Sequence, residues 1–140
     1  MSLKADDELV VHVHRHFRAM ARSAQLGLKQ TKVAEMQRCA DGVSEYADAI
    51  VRRIAHALQE PMPVVPPLPA DFTLELADES ARGFAMRCLT IAEVLAVAAM
   101  TLTDVRALQT EAVHVLCFSD AAESRLRIAI REAREQRAAK

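Results

Sequence analysis

Residues 31–58 read TKVAEMQRCADGVSEYADAIVRRIAHAL, and the spacing within this stretch decides the fold class. Val33, Met36, Ala40, Val43, Ala47, Ile50, Ile54 and Leu58 recur at alternating steps of three and four. That rhythm gathers them into one stripe of an α-helix, whereas a strand would need alternation at every second residue. Gly42 interrupts the stripe locally, at about 1 kcal/mol relative to Ala.

The same rhythm continues in both directions. Upstream, Leu9, Val13, Phe17, Met20 and Ala24 predict a helix from about Asp7 to Gly27, with Asp6 and Asp7 suited to cap it. Gly27 leaves two joins open, a tight hairpin or one long kinked helix. Downstream, a third helix begins near Asp78-Glu79-Ser80 and carries Phe84, Cys88, Ile91, Leu95, Ala98 and Leu102 as its main stripe. A fourth follows Asp104 with Val105, Leu108, Ala112 and Val115. Ser119-Asp120-Ala121-Ala122-Glu123 has the spacing of a capping box able to restart that helix, and Leu126, Ala129, Ile130 and Ala133 carry the stripe onward. The core is expected to hold Phe17, Met20, Val43, Ile50, Ile54, Phe84, Ile91, Leu95, Leu102, Leu108 and Val115. Four such segments are best satisfied by an all-α four-helix bundle, ferritin-like or up-and-down.

Between the second and third helices the pattern stops. All five prolines fall from Pro61 to Pro69, in PMPVVPPLP. A polyproline-like run rises about 3.1 Å per residue and spans roughly 25–30 Å, about the length of a 20-residue helix. The linker, read as 61–78, is therefore long enough to cross the bundle lengthwise, and a tight turn is equally open. Pro63-Val64-Val65-Pro66 has PxxP spacing, but its neighbours are Glu60 and Asp71 rather than basic residues, so the segment reads as a linker.

Composition agrees with one soluble domain. The chain has 140 residues, 51% of them apolar and 26% charged, with three glycines and no tryptophan, a mixture rich in helix formers. Its net charge of −1 argues against nucleic-acid binding, which normally shows as a basic excess. The stretch 125–140 is locally basic, but Glu132 and Glu135 sit between Arg127, Arg131, Arg134 and Arg137. It reads as a solvated helix with pairs such as Arg131–Glu135, ending in a charged tail at 134–140. Cys39, Cys88 and Cys117 are far apart and odd in number, so neither a zinc site nor a redox pair is suggested, and each reads as a small core residue. Residues 1–5 read as a leader. The expected location is cytoplasmic, or exported if a native signal peptide stood ahead of Met1.

Two constellations have the spacing of metal ligands. Glu8, His12 and His16 share one helix face at one-turn intervals, with His14 pointing elsewhere. Glu111-Ala112-Val113-His114 matches the Glu-x-x-His of carboxylate-bridged di-iron bundles. Such a centre needs two of these motifs and two further glutamates. Only one is present, and Glu93 falls opposite the third helix's stripe. No metal or other cofactor is expected, and the lack of a nucleophile–base pair, Gly-rich phosphate loop or dinucleotide fingerprint argues against an enzyme.

The order of features from about Gln30 to Ala133 resembles a bacterial ferritin-like family of unknown function, all-helical and usually exported. The carriers are Glu35-Met36-Gln37-Arg38-Cys39-Ala40-Asp41, the proline-rich break, Gly83-Phe84, and Leu116 before the last helical stretch. The resemblance implies the bundle fold. The family pattern has a histidine after the position of Asp41, where this chain has Gly42. It also has a Leu-Pro and a later histidine where this chain reads Leu116-Cys117 and Glu123-Ser124, so no metal or ligand site carries over.

Two functions follow from these readings. The first is a non-catalytic bundle acting through protein contacts, as a homodimer through helix three, with Leu89, Val94, Val97, Met100 and Thr101 at the interface and Ala92, Ala96, Ala98 and Ala99 allowing close approach. The chain's own Val64, Val65, Leu68 and Phe72 are the rival cover for that helix. The second is a ferritin-like bundle binding a metal or small ligand through some of Glu8, His12, His16, Glu111 and His114. No membrane span is expected, because the apolar run of helix three is far short of about 20 residues.

Overall fold

The computed structural model describes residues 7–69 and 80–139. These form four helices and no sheet: α1 (Asp7–Lys29), α2 (Val33–Leu58), α3 (Ala81–Ala99) and α4 (Val105–Ala138). None of them is long and apolar enough to cross a membrane. The helix ends follow local chemistry. Ser80 and Asp104 cap α3 and α4 by accepting from the amides of Gly83 and Ala107, at 3.1 and 3.0 Å. Gln59 closes α2 in the left-handed region, φ 54°, where the amides of Gln59 and Glu60 reach back to His56 and Ala55. The capping expected of Asp6 and Asp7, and the start expected at Asp78 and Glu79, lie outside the described residues and side chains.

α1 packs on α2 and α3, α4 packs on the same two, and α2 meets α3 only weakly across the diagonal. Hydrogen bonds at the two ends give the directions. Arg82, in the first turn of α3, donates from Nε and Nη2 to the Gln30 carbonyl at the α1–α2 turn. At the opposite end Arg106, beginning α4, holds the Glu60 carboxylate just past α2, and His14 of α1 donates from Nε2 to Leu102 O at 2.7 Å. The chain thus leaves α2 at one end of the bundle and enters α3 at the other. The connection is a lengthwise crossover, and the tight-turn alternative is excluded.

α1 and α2 are a hairpin, and Gly27 lies inside α1 rather than at the join. Its role is packing. A Cβ there would come within 2.8 Å of Leu89 Cδ1 and 3.1 Å of Cys39 Cβ, and one on Gly42 would lie 2.7 Å from Ser23 Oγ. The two glycines let α1 settle closely on its neighbours. Gly27→Ala should therefore lower stability by about 1 kcal/mol net, overpacking of roughly 1–3 kcal/mol outweighing a helix-propensity gain of about 1 kcal/mol. A urea midpoint at or above that of the wild type would refute the close contact.

The core matches the α1, α2 and α4 stripes: Phe17, Met20, Val43, Ile50, Ile54, Leu108 and Val115 are buried. On α3 the expected register is turned. The inward face is Phe84, Ala85, Cys88, Leu89, Ala92, Ala96 and Ala99, while Ile91, Leu95 and Leu102 are half-buried at its flank. Alanines allow close helix approach, so the small face goes inward and the larger aliphatics fill the edges. The capping box at Ser119 does not restart a helix, because α4 runs unbroken through it. Ser119 is instead buried, its hydroxyl 3.4 Å from Leu116 O and 2.7 Å from Ser44 Oγ.

Candidate functional site

The groove between α2 and α4, about 460 Å³, concentrates the unusual polar chemistry. α2 contributes Asp41, Ser44 and Asp48 at steps of three and four, and α4 contributes Asp120, Glu123 and Arg127 at the same spacing, so two helical faces converge. Val65 of the crossover and Leu116 provide the apolar wall. Ser44 Oγ lies 3.2 Å from Asp120 Oδ1. Arg127 bridges the groove, with Nη2 at 3.3 Å from Asp41 Oδ1 and 3.2 Å from Glu123 Oε2.

Glu123 stands on the core side of this groove and is only 8% exposed. Its Oε1 is buried and has no hydrogen-bond partner. Burial pushes its carboxyl above the usual range, and Asp41 and Asp120 add to the rise against Ser44 and Arg127. Burial likewise raises Asp120, with Asp48 adding and Ser44 and Arg127 opposing. Two carboxyls that resist ionisation, one of them with an orphaned oxygen, are a poor way to stabilise a bundle. Sequence reasoning placed Glu123 at a helix start; its location one turn below Ser119 on the buried stripe was the available signal.

The sequence-predicted ligands do not come together. His12 and His16 stack at 4.3 Å between centroids, and His16 Nδ1 donates to His12 O at 2.9 Å, which takes that nitrogen out of use as a ligand. Arg15 and Arg53 line the same pocket with Glu8. Desolvation lowers the His12 pKa first, and the neighbouring His16, Arg53 and Arg15 lower it further, so the local field opposes a cation. Glu8 and His114 are exposed, and Glu111 is half-buried. Among the described residues no three His, Cys, Asp or Glu side chains are grouped to hold a metal ion. Cys88 and Cys117 are buried and Cys39 is half-buried, and none of the three forms a disulfide.

The predicted interface on α3 divides. Leu89 is fully buried in the core, so it is corrected from an interface to a packing residue, and Ala92, Ala96 and Ala99 join it there. Val94 and Val97 are exposed, at 62% and 47%, beside exposed Thr101 and half-buried Met100. Of the rival cover, Val65 lines the α2–α4 groove and Val64 is 90% exposed, so neither lies over this face. Phe72 is outside the described residues. Compared with models of known protein families, with characterised proteins and with solved structures, the chain shows no match.

Proposed function

We propose that the protein is a non-catalytic helical bundle that acts through protein contacts, pairing with a second copy of itself through the outward face of α3. The observation that carries this is the chemistry of that face. Thr90, Val94, Val97, Ala98 and Thr101 are all exposed and uncharged, where a solvent-facing helix normally presents charge. The Thr90 and Thr101 hydroxyls bond back to Met86 O and Ala98 O, at 2.8 and 2.7 Å, which leaves their methyl groups to the surface. A two-fold axis across the strip would set it against its own copy. Light scattering should find a dimer at tens of micromolar and a folded monomer for Val97→Arg. A wild-type monomer at that concentration would refute the pairing.

A second reading, a ferritin-like bundle binding a metal or small ligand, rests on the orphaned Glu123 oxygen and on the single lengthwise crossover, the connection used by ferritin-like bundles. Metal analysis of protein purified without a metal column tests it. About one equivalent of iron, manganese or zinc per chain would favour this reading over the first.

A further inference from the structure

The basic residues of the C-terminal stretch alternate with acids in sequence, but the packing of α4 on α2 brings mainly the bases to one surface. Two adjoining grooves, about 540 and 480 Å³, open between the first turns of α2 and the last turns of α4. Lys32 and Arg38 line them from the α2 side, and Arg127, Arg131, Arg134 and Arg137 from α4. Glu132 and Glu135 line neither groove. At 100° per residue Glu132 falls on the far side of α4 from Arg134 and Arg137, while Glu135 lies about a quarter turn from Arg134 and one turn beyond Arg131 without entering either lining. Asp41 is the one carboxylate in the lining, and Arg127 already holds it at 3.3 Å. The expected Arg131–Glu135 pair is absent, and Lys32, Arg38, Arg131 and Arg134 make no ion pair or side-chain hydrogen bond among the described residues.

The dipole of α4 favours cations in its last turns, which accounts for arginines there. It does not account for aiming them at the start of α2, which is itself the positive end of a helix and has Lys32 at its cap position without a capping side chain. Like charges brought together from two helices repel unless an anion lies between them. Guanidinium forks match phosphate oxygens two at a time, and cations spread over two joined grooves call for more than one phosphate group. We propose that this end of the bundle binds a small soluble oligophosphate, an anion carrying at least two linked phosphate groups, between Arg38 of α2 and Arg131 and Arg134 of α4.

Titration calorimetry with tripolyphosphate tests the site on the full chain. The wild type should bind one equivalent, more weakly as sodium chloride is raised from 50 to 500 mM, as for any contact screened by salt. Arg131→Ala combined with Arg134→Ala should weaken binding at least tenfold. Alanine suits an exposed helix, and an unchanged far-UV spectrum and thermal midpoint would verify that this variant folds. Arg15→Ala combined with Arg18→Ala, which removes the same charge from α1, should leave binding within twofold. Absence of binding at 1 mM, equal losses in the two double variants, or displacement by duplex DNA at equal phosphate concentration would each overturn the proposal.

Discussion

Leu89→Ala should lower stability by about 2–5 kcal/mol, whereas Leu95→Ala should lower it by only about 1 kcal/mol. The two leucines lie on the same helix, six residues apart, and differ in where they point. Leu89 is fully buried with its Cδ1 directly over Gly27 of α1. Truncation there leaves a void beside the backbone of Gly27, which has no side chain to fill it, and this puts the change toward the upper part of the range. Leu95 is half-buried at the flank, and water can enter the space it leaves. Urea unfolding of both variants measures the difference. Equal losses would mean that α3 is turned toward its large aliphatic stripe, as its spacing alone suggests.

That misreading shows what was legible. For α1, α2 and α4 one face was apolar and the other charged, so periodicity left a single choice, and Phe17, Ile50 and Val115 are buried where the rhythm placed them. α3 has apolar residues on nearly every side. Period counting then cannot choose between a stripe of Ile91 and Leu95 and one of Ala92, Ala96 and Ala99. What chooses is the distance between helices, which depends on Gly27, on a different helix. The crossover was undecided for a related reason: the length of the 61–78 segment permits a lengthwise path and also a short return. Only contacts far apart in sequence, such as Arg82 with Gln30 and Arg106 with Glu60, settle it.

The polar sites were less legible. Within Ser119-Asp120-Ala121-Ala122-Glu123 the i, i+3 step from Asp120 to Glu123 fits a capping box, while the i, i+4 step from Ser119 to Glu123 sets those two on one face of an unbroken helix. The choice between these turned on whether α2 offered a partner, and Ser44 does. In the C-terminal stretch, the alternation of Arg and Glu looked self-neutralising in one dimension. Winding the chain at 3.6 residues per turn turns Glu132 away from Arg134 and Arg137, and packing α4 beside Lys32 and Arg38 lines the grooves with arginines and leaves Glu135 outside them.

Glu123→Met should raise stability by about 1–2 kcal/mol at pH 7.5. Methionine is close to glutamate in volume, so the core is neither overfilled nor emptied. Arg127 keeps Asp41 and is largely exposed, so no charge is left buried without a partner. What is removed is a carboxylate with one buried oxygen that no protein group bonds. The pH dependence follows from the direction of the shift. The folded-state pKa is raised by burial above the unfolded value, so ionised Glu123 opposes folding at pH above the raised value. The opposition fades as pH falls through that value and is gone below the ordinary carboxyl range near about 4.3. The advantage of the methionine variant should therefore be greatest above the raised value and shrink toward zero in acid. Thermal unfolding of both proteins across that window reads it directly. A variant less stable than the wild type at pH 7.5 would mean that the Glu123–Arg127 pair is a net stabiliser. A stabilised variant would mark Glu123 as a residue the bundle keeps against its own stability, the pattern expected of a binding site rather than of a core.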